Sequence, residues 1–454
     1  MALDRILVVT HSYAPAENPR ALRWSSIAQH WAEQGIPVDV LTSFQSGLAE
    51  SEFLRGVTVY RVGKNTVERL RSRFGGSLTA PNPGHQQSPN RPLRLSQSLR
   101  WLHDHTWKKV YWPDYACLWI QPASRAIAEL LSSRRYSTII SVSDPYSSHI
   151  ATYRALRTST HRRWLVDMGD PFSSRTLASP NNRFLYKSLN FRTESEILAH
   201  CSALSVTTVG TANQYASLFP NLESKTQVIG PLLSAPKVEL REARVGYSTA
   251  AKKLVYVGTL YPELRSPDYL LRLLEHLIRM PEFNNLEMHF YGGCAGSDSL
   301  FGNYTTLIGK NVVAHGIVPR EQALMAMQEA DVLVNIGNQT PVQLPSKLVE
   351  YIWAGRPILN IASHESDSAA AYLDGHPALL NLFVMENNSF AGQVGQLASF
   401  LRSAGNPPAT KDLQPFRDRS KIETIASQYL SACGLEEPKS VPADEPVRLS
   451  VALR

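Results

Sequence analysis

At 454 residues, with 43% hydrophobic and 19% charged residues, the chain has a globular composition and exceeds what one hydrophobic core accommodates. That excludes wholesale disorder and points to two domains. The net charge of +7 is concentrated: residues 61–112 carry ten Lys or Arg against only Glu68 and Asp104, so the remainder is close to neutral.

The chain opens as strand, loop, helix, strand. Residues 5–10 are an apolar β-branched run, 21–34 have helical apolar spacing with Gly35 as the stop, and 38–42 form a second strand. Residues 57–62 predict a third strand. A basic, Pro- and Gly-containing insertion follows over about 64–112, interleaved with Phe74, Trp101, Trp107, Tyr111 and Trp112. Alternation resumes with a helix over 122–133, a strand over 138–142, a helix after Pro145 and a strand over 163–167. Next come a long helix ending near His200, a strand over 203–209 and a short helix over 212–219. The Gly230-Pro231 link closes a first domain, 1–232. A second set then runs through strands at 253–258, 287–291, 312–316, 332–336 and 357–361, with helices over 269–280, 320–328 and 346–353. It defines a domain over 233–415, followed by a helix over 416–433 and a tail, 434–454, expected to be disordered. Strands alternating with helices of this length predict two doubly wound α/β domains with parallel sheets and right-handed crossovers, facing each other across a cleft. In such sheets ligands sit beyond the carboxyl ends of strands.

The four cysteines, Cys117, Cys201, Cys294 and Cys433, are scattered without metal or redox spacing and read as reduced thiols. No apolar stretch approaches the roughly 20 residues of a membrane span, and the opening run reads as a buried strand rather than a secretion signal. A cytoplasmic protein is expected. The basic, aromatic insertion suits an acidic partner: an anionic membrane surface or a lipid-linked diphosphate acceptor, or else it is a solvated loop packed by a few aromatics. No nucleic-acid motif accompanies it, so nucleic acid is not expected as a partner.

The densest chemistry lies between Asn335 and Pro357. There a strand gives way to a polar, Pro-punctuated loop and a helix expected to begin near Ser346. Lys347 in its first turn offers a cation and Glu350, on the same face, a hydrogen-bond acceptor for ribose hydroxyls. The string from Pro345 to Leu359, Pro-Ser-Lys-Leu-Val-Glu-Tyr-Ile-Trp-Ala-Gly-Arg-Pro-Ile-Leu, resembles the nucleotide-binding signature of family 4 glycosyltransferases of the GT-B fold. The resemblance covers most of residues 5–432. It implies a retaining enzyme using a nucleoside-diphosphate sugar as co-substrate, with no metal or other cofactor, and a role in polysaccharide or glycolipid biosynthesis.

It also implies roles for individual residues. Lys347, Leu348 and Glu350 bind the donor, while the second glutamate of many relatives is replaced by Val342, leaving backbone amides of the 340–344 loop to meet the sugar. Thr259 and Arg265 follow the first strand of the donor domain, with Arg265 pairing with diphosphate. Gly316 and Val318 belong to the loop that clasps the base. In the first domain, Glu17, Arg20 and Arg23 lie in and after the loop that closes on donor phosphates and acceptor. Tyr146, His149, Asp167 and Asp170 lie where relatives approach the transferred sugar, although the two aspartates also suit helix caps. Two other readings use the same architecture: a sugar-nucleotide epimerase, and a non-catalytic nucleotide-sugar sensor.

Overall fold

The structure is a computed structural model, and it describes residues 5–63, 110–157, 163–176, 179–233, 253–261, 264–294, 298–340, 342–384, 390–404 and 407–436. The basic insertion, apart from Val110 to Trp112, and most of the C-terminal tail lie outside the described residues.

The first sheet is built from β1 (Ile6–Thr10), β2 (Val38–Ser43), β3 (Ser51–Leu54), β4 (Val57–Val62), β5 (Thr138–Val142), β6 (Arg163–Met168), β7 (Ala203–Val206) and β8 (Thr226–Val228). Their order is β3-β4-β2-β1-β5-β6-β7-β8, parallel throughout except for the antiparallel edge pair β3–β4. Ile6 pairs with Val38 on one side and Thr138 on the other. Both faces of this sheet are covered, which is why β1 and β5 are continuous buried runs rather than alternating ones.

The helices of this half are α1 (Pro19–Glu33), α2 (Ile120–Ser133), α3 (Ser147–Leu156), α4 (Arg183–His200) and α5 (Val209–Leu218). Asn18 caps α1, accepting from the Ala21 N–H at 3.0 Å, and Pro19 stands at its first position. β7 stops at Val206, short of the expected Val209, because Thr208 turns to cap α5.

The second sheet contains β9 (Lys253–Val257), β10 (Glu287–Tyr291), β11 (Val312–Gly316), β12 (Val332–Ile336), β13 (Ile358–Ala362) and β14 (Leu379–Phe383), all parallel, in the order β11-β10-β9-β12-β13-β14. It is flanked by α6 (Asp268–Leu277), α7 (Arg320–Glu329), α8 (Leu348–Ala354), α9 (Ser368–Leu373), α10 (Phe390–Ser403) and α11 (Thr410–Asp418). Asp367 is buried and caps α9 by accepting from the Ala370 N–H at 2.8 Å.

The single helix expected over 416–433 is two, α11 and α12 (Ile422–Ala432). The break falls at Ser420. Its Oγ accepts from Trp353 Nε1 at 3.0 Å and its carbonyl accepts from the Leu233 N–H at 3.0 Å, tying together the two segments that pass between the sheets. α12 returns to the first sheet, where Ile425, Ala426, Tyr429 and Leu430 join Trp24, Ile27 and Trp31 of α1 in one core.

Each sheet reverses its winding once, between β1 and β5 and between β9 and β12. Those are the switch points at which a doubly wound sheet opens a crevice.

Candidate functional site between the two switch points

β9 and β12 pair only through Leu254–Val332 and Val255–Leu333 and then part. The Tyr351 hydroxyl fills the gap, accepting from the Val257 N–H at 2.8 Å and donating to the Val334 carbonyl at 3.0 Å. Around this opening lie residues 258–261, 264–265, 337–340 and 342–347. Arg265 reaches across it: Nε and Nη2 both donate to Asn338 Oδ1, at 3.1 and 2.7 Å, and Nη1 lies near Tyr256 Oη and the Thr259 carbonyl. Most of its donors are therefore spent shaping the loop, which leaves Lys347 as the more available cation. Asn338, buried and donating in turn to the Gln343 carbonyl at 3.2 Å, was not singled out from sequence; its partner lies 73 positions away.

Lys347 Nζ pairs with Glu350 Oε1 at 3.1 Å, and Arg320 approaches the same oxygen at 3.9 Å. Regular helix starts at Leu348 rather than Ser346 and spans seven residues, so the expected helix-dipole contribution is smaller and the site relies on side-chain charge. Leu348 is fully buried among Val255, Leu333 and Tyr351, and its N–H donates to the Pro345 carbonyl at 3.2 Å. Val318 packs beside that core, and Gly316, at φ +69°, gives its carbonyl to the Gly292 N–H at 2.8 Å. Gly292 itself, at φ +136°, lies against the Gly258 carbonyl so closely that a Cβ there has no room.

Across the cleft, Asp167 ends β6 and is almost wholly buried. Its Oδ2 accepts from Trp24 Nε1 at 2.9 Å and Arg20 Nη1 at 3.3 Å; its Oδ1 accepts from Tyr429 Oη at 2.7 Å and Ser205 Oγ at 2.8 Å. Burial opposes its ionisation, but Arg20, Arg23 and the hydroxyl donors outweigh it and hold the carboxyl below the usual range. Four donors leave Asp167 no lone pair for an acceptor hydroxyl, so it anchors the site rather than entering it. Arg23 turns inward likewise: it donates to Tyr429 Oη at 3.0 Å and to the Ile229 carbonyl at 3.3 Å, fixing the linker instead of meeting phosphate.

Tyr146 and His149 are both buried in the first domain, with Tyr146 stacked on Phe172 at 3.7 Å between ring centroids. Ser141 Oγ accepts from Trp164 Nε1 at 2.9 Å and is hydrogen-bonded to His149 Nδ1 at 2.7 Å, tying the imidazole into the core. Burial pushes this histidine down to about 3, keeping it neutral.

The groups presented at the mouth are Arg20, Asp144, Asp170 and Arg175. Arg20 lies on the bare backbone of Gly169, a place only glycine leaves open. Arg175 pairs with Asp144 at 3.2 Å and approaches Asp170 at 3.8 Å. Burial in the cleft wall and the Asp170 charge push Asp144 up, against Arg175 and Arg20, although its side chain still keeps 48% of its surface. Asp144, in a segment flagged from sequence but not chosen itself, replaces Tyr146 and His149 as the accessible group after β5. Glu17 is exposed in the loop after β1.

The two rims meet directly. Thr208 and Thr211, at the start of α5, both reach the Val342 carbonyl, at 2.9 and 3.0 Å. Among the described residues, no group of three or more His, Cys, Asp or Glu side chains is arranged to hold a metal ion, and no helix is long and apolar enough to cross a membrane.

Neither the protein-family models nor the curated proteins contain a match to this sequence. Solved structures do resemble it over nearly their whole length. Sucrose-phosphate synthase from Thermosynechococcus elongatus aligns with a TM-score of 0.59 at 13% identity, over 94% of this chain and 98% of that one. HepE from Anabaena, in complex with UDP and glucose, aligns at 0.55 and 12%, over 94% and 99%. A UDP-forming α,α-trehalose-phosphate synthase from Burkholderia xenovorans aligns at 0.58 and 11%, over 95% and 100%. Together with the two doubly wound sheets and their facing switch points, this likeness shows that the chain has the GT-B fold.

Proposed function

We propose that this protein is a glycosyltransferase that moves a sugar from a nucleoside-diphosphate sugar to an acceptor hydroxyl, with retention of anomeric configuration. The observation that carries the reading is the Lys347–Glu350 pair beside the parting of β9 and β12, on a loop-and-helix segment whose Val342 carbonyl is met by Thr208 and Thr211 of the domain that bears Arg20, Asp144, Asp170 and Arg175. Lys347, with the N–H groups Arg265 has to spare, meets the negative charge that grows on the departing diphosphate, and Glu350 receives the ribose hydroxyls. Asp144 and Asp170 orient the acceptor. Its oxygen bonds to the anomeric carbon on the face from which the phosphate oxygen leaves, and its proton passes to that oxygen. Placement and electrostatics within a closed cleft supply the catalysis.

The fold neighbours support a uridine nucleotide, since HepE binds UDP and glucose and TarM is in complex with UDP and α-GlcNAc-glycerol. The resemblance at 345–359 supports membership of family 4 and a hexose donor. A lipid-linked acceptor at an anionic membrane surface is supported by the first turns of α4, where Phe184 is 95% exposed beside exposed Leu185 and Lys187, together with the basic 61–112 stretch.

The test is thermal stabilisation by UDP, GDP and ADP, repeated on Lys347→Ala. A ligand at a hundred times its dissociation constant adds about 2.7 kcal/mol to the folded state. A shift with UDP that the variant loses is the expected result. No shift with any of the three nucleotides overturns the donor site.

A further inference from the structure

The loop between β12 and α8 is gripped from both sides, and the inference drawn from this rests on the donor site proposed above. From within its own domain, Asn338, held by the Arg265 fork, donates to the Gln343 carbonyl. From the opposite domain, the Thr208 and Thr211 hydroxyls converge on the neighbouring Val342 carbonyl. Two successive carbonyls are thus fixed by different domains. Because each peptide is planar and trans, fixing them also fixes the Gln343 and Leu344 N–H groups, which point away from the Thr pair and from Asn338 respectively.

The Thr pair is a prepared socket. Thr208 caps α5: its Oγ1 accepts from the Thr211 N–H at 3.0 Å and lies 2.9 Å from both the Thr211 hydroxyl and the Val342 carbonyl oxygen, so the two hydroxyls and that carbonyl form one hydrogen-bonded cluster. Thr211 sits one turn in with its own hydroxyl aimed at the same oxygen. Both residues are buried, so removing the Val342 carbonyl leaves two sequestered hydroxyls without that acceptor. At position 342 the side chain is valine, which offers nothing polar to a sugar; the main chain around it must do so.

We propose that Thr208 and Thr211 are positioning residues for the donor sugar: acting from the acceptor-side domain, they hold the 342–345 main chain in the shape whose amides meet the sugar, and they do so only when the cleft is closed. Base and diphosphate are met by Lys347, Glu350 and the 316–318 loop, none of which the Thr pair touches. The grip therefore discriminates a complete donor from the bare nucleotide.

The experiment compares wild type, Thr211→Val, Thr208→Val/Thr211→Val and Thr208→Ser/Thr211→Ser by calorimetric binding of UDP and of UDP-glucose, with small-angle X-ray scattering of each free protein. In the double Val variant, UDP affinity stays within about threefold of wild type, UDP-glucose weakens about tenfold, and the radius of gyration rises. The Ser pair behaves as wild type because it keeps both hydroxyls. Thr211→Val, which keeps the α5 cap, falls between them and separates lost grip from lost fold. UDP-glucose binding and a scattering curve both unchanged in the double Val variant overturn the proposal. If wild type binds neither probe, the donor site fails instead, and the scattering comparison decides the grip alone: an unchanged radius overturns it.

Discussion

Asp167→Asn isolates the anchor beneath the acceptor side of the cleft. The substitution preserves shape but removes the charge, and its amide faces either the Ser205 and Tyr429 hydroxyls or the Trp24 and Arg20 N–H groups. Breaking a buried ion pair by neutralising one partner costs about 3–5 kcal/mol; Arg20 keeps 22% of its side-chain surface, so solvent screening brings the expected loss to about 3 kcal/mol. For a cooperative unit of this size that corresponds to a melting temperature lower by about 6–12 °C. The pH dependence carries a sign. Asp167 is held below the ordinary aspartate value of 3.8, so its contribution is complete wherever the unfolded carboxyl is also ionised, and fades as pH falls below 3.8 toward the folded value. Scanning calorimetry of wild type and variant from pH 8 to pH 3 should show a constant gap down to about pH 5 that narrows below about pH 4. A gap under 1 °C at pH 7, or one that already closes between pH 7 and pH 5, refutes the reasoning, the second because it would require a raised rather than a lowered carboxyl.

Tyr429→Phe removes a hydroxyl that donates to Asp167 and accepts from Arg23; a loss of about 2 kcal/mol is expected, read as a melting shift, and a neutral result would mean α12 is held by its apolar face alone. Gly292→Ala drives a Cβ into the Gly258 carbonyl at a backbone angle that disfavours side chains; about 3 kcal/mol of destabilisation and a weakened UDP response are expected together, and full stability would show that the strand ends part freely. Phe184→Asp should reduce co-sedimentation with vesicles rich in phosphatidylserine while leaving the UDP-induced thermal shift intact, and unchanged co-sedimentation removes α4 from the membrane contact.

The strands were legible in the sequence because both faces of each sheet are covered. A buried parallel strand writes itself as a largely apolar run, and 138–142 and 332–336 match the wholly buried β5 and β12 residue for residue; 287–291 and 312–316 match β10 and the more exposed edge strand β11 as well. Side-chain roles were less legible wherever the deciding partner is remote. Nothing local marks Asp167 as saturated, since Tyr429 stands 262 positions later, or Arg23 as turned inward by the same hydroxyl. Tyr146 and His149 carry polar atoms that look available in one dimension; only the Phe172 stack and the Ser141–Trp164 chain reveal them as core. β3, β8, α9, β14 and α10 were not assigned from the sequence; β3, β8 and α9 are only four, three and six residues long, too short to show a period.

Hinge and grip stand at different places on the interface, and that separation lets one loop report on closure. The two chain segments that pass between the sheets are joined where the Leu233 N–H meets the Ser420 carbonyl, and Ser420 Oγ is braced by Trp353 from α8 itself. α8 therefore touches the pivot through its last turn, while the residue before it, Lys347, pairs with Glu350 at the candidate site. A rotation about Ser420 moves the 342–345 loop relative to α5 while the Arg265–Asn338 contact within the donor domain travels with it unchanged. Opening breaks the Thr208 and Thr211 contacts to Val342, hydroxyl bonds worth about 1 kcal/mol each, a cost small enough for donor entry yet sufficient to favour the closed loop once a sugar supplies further contacts.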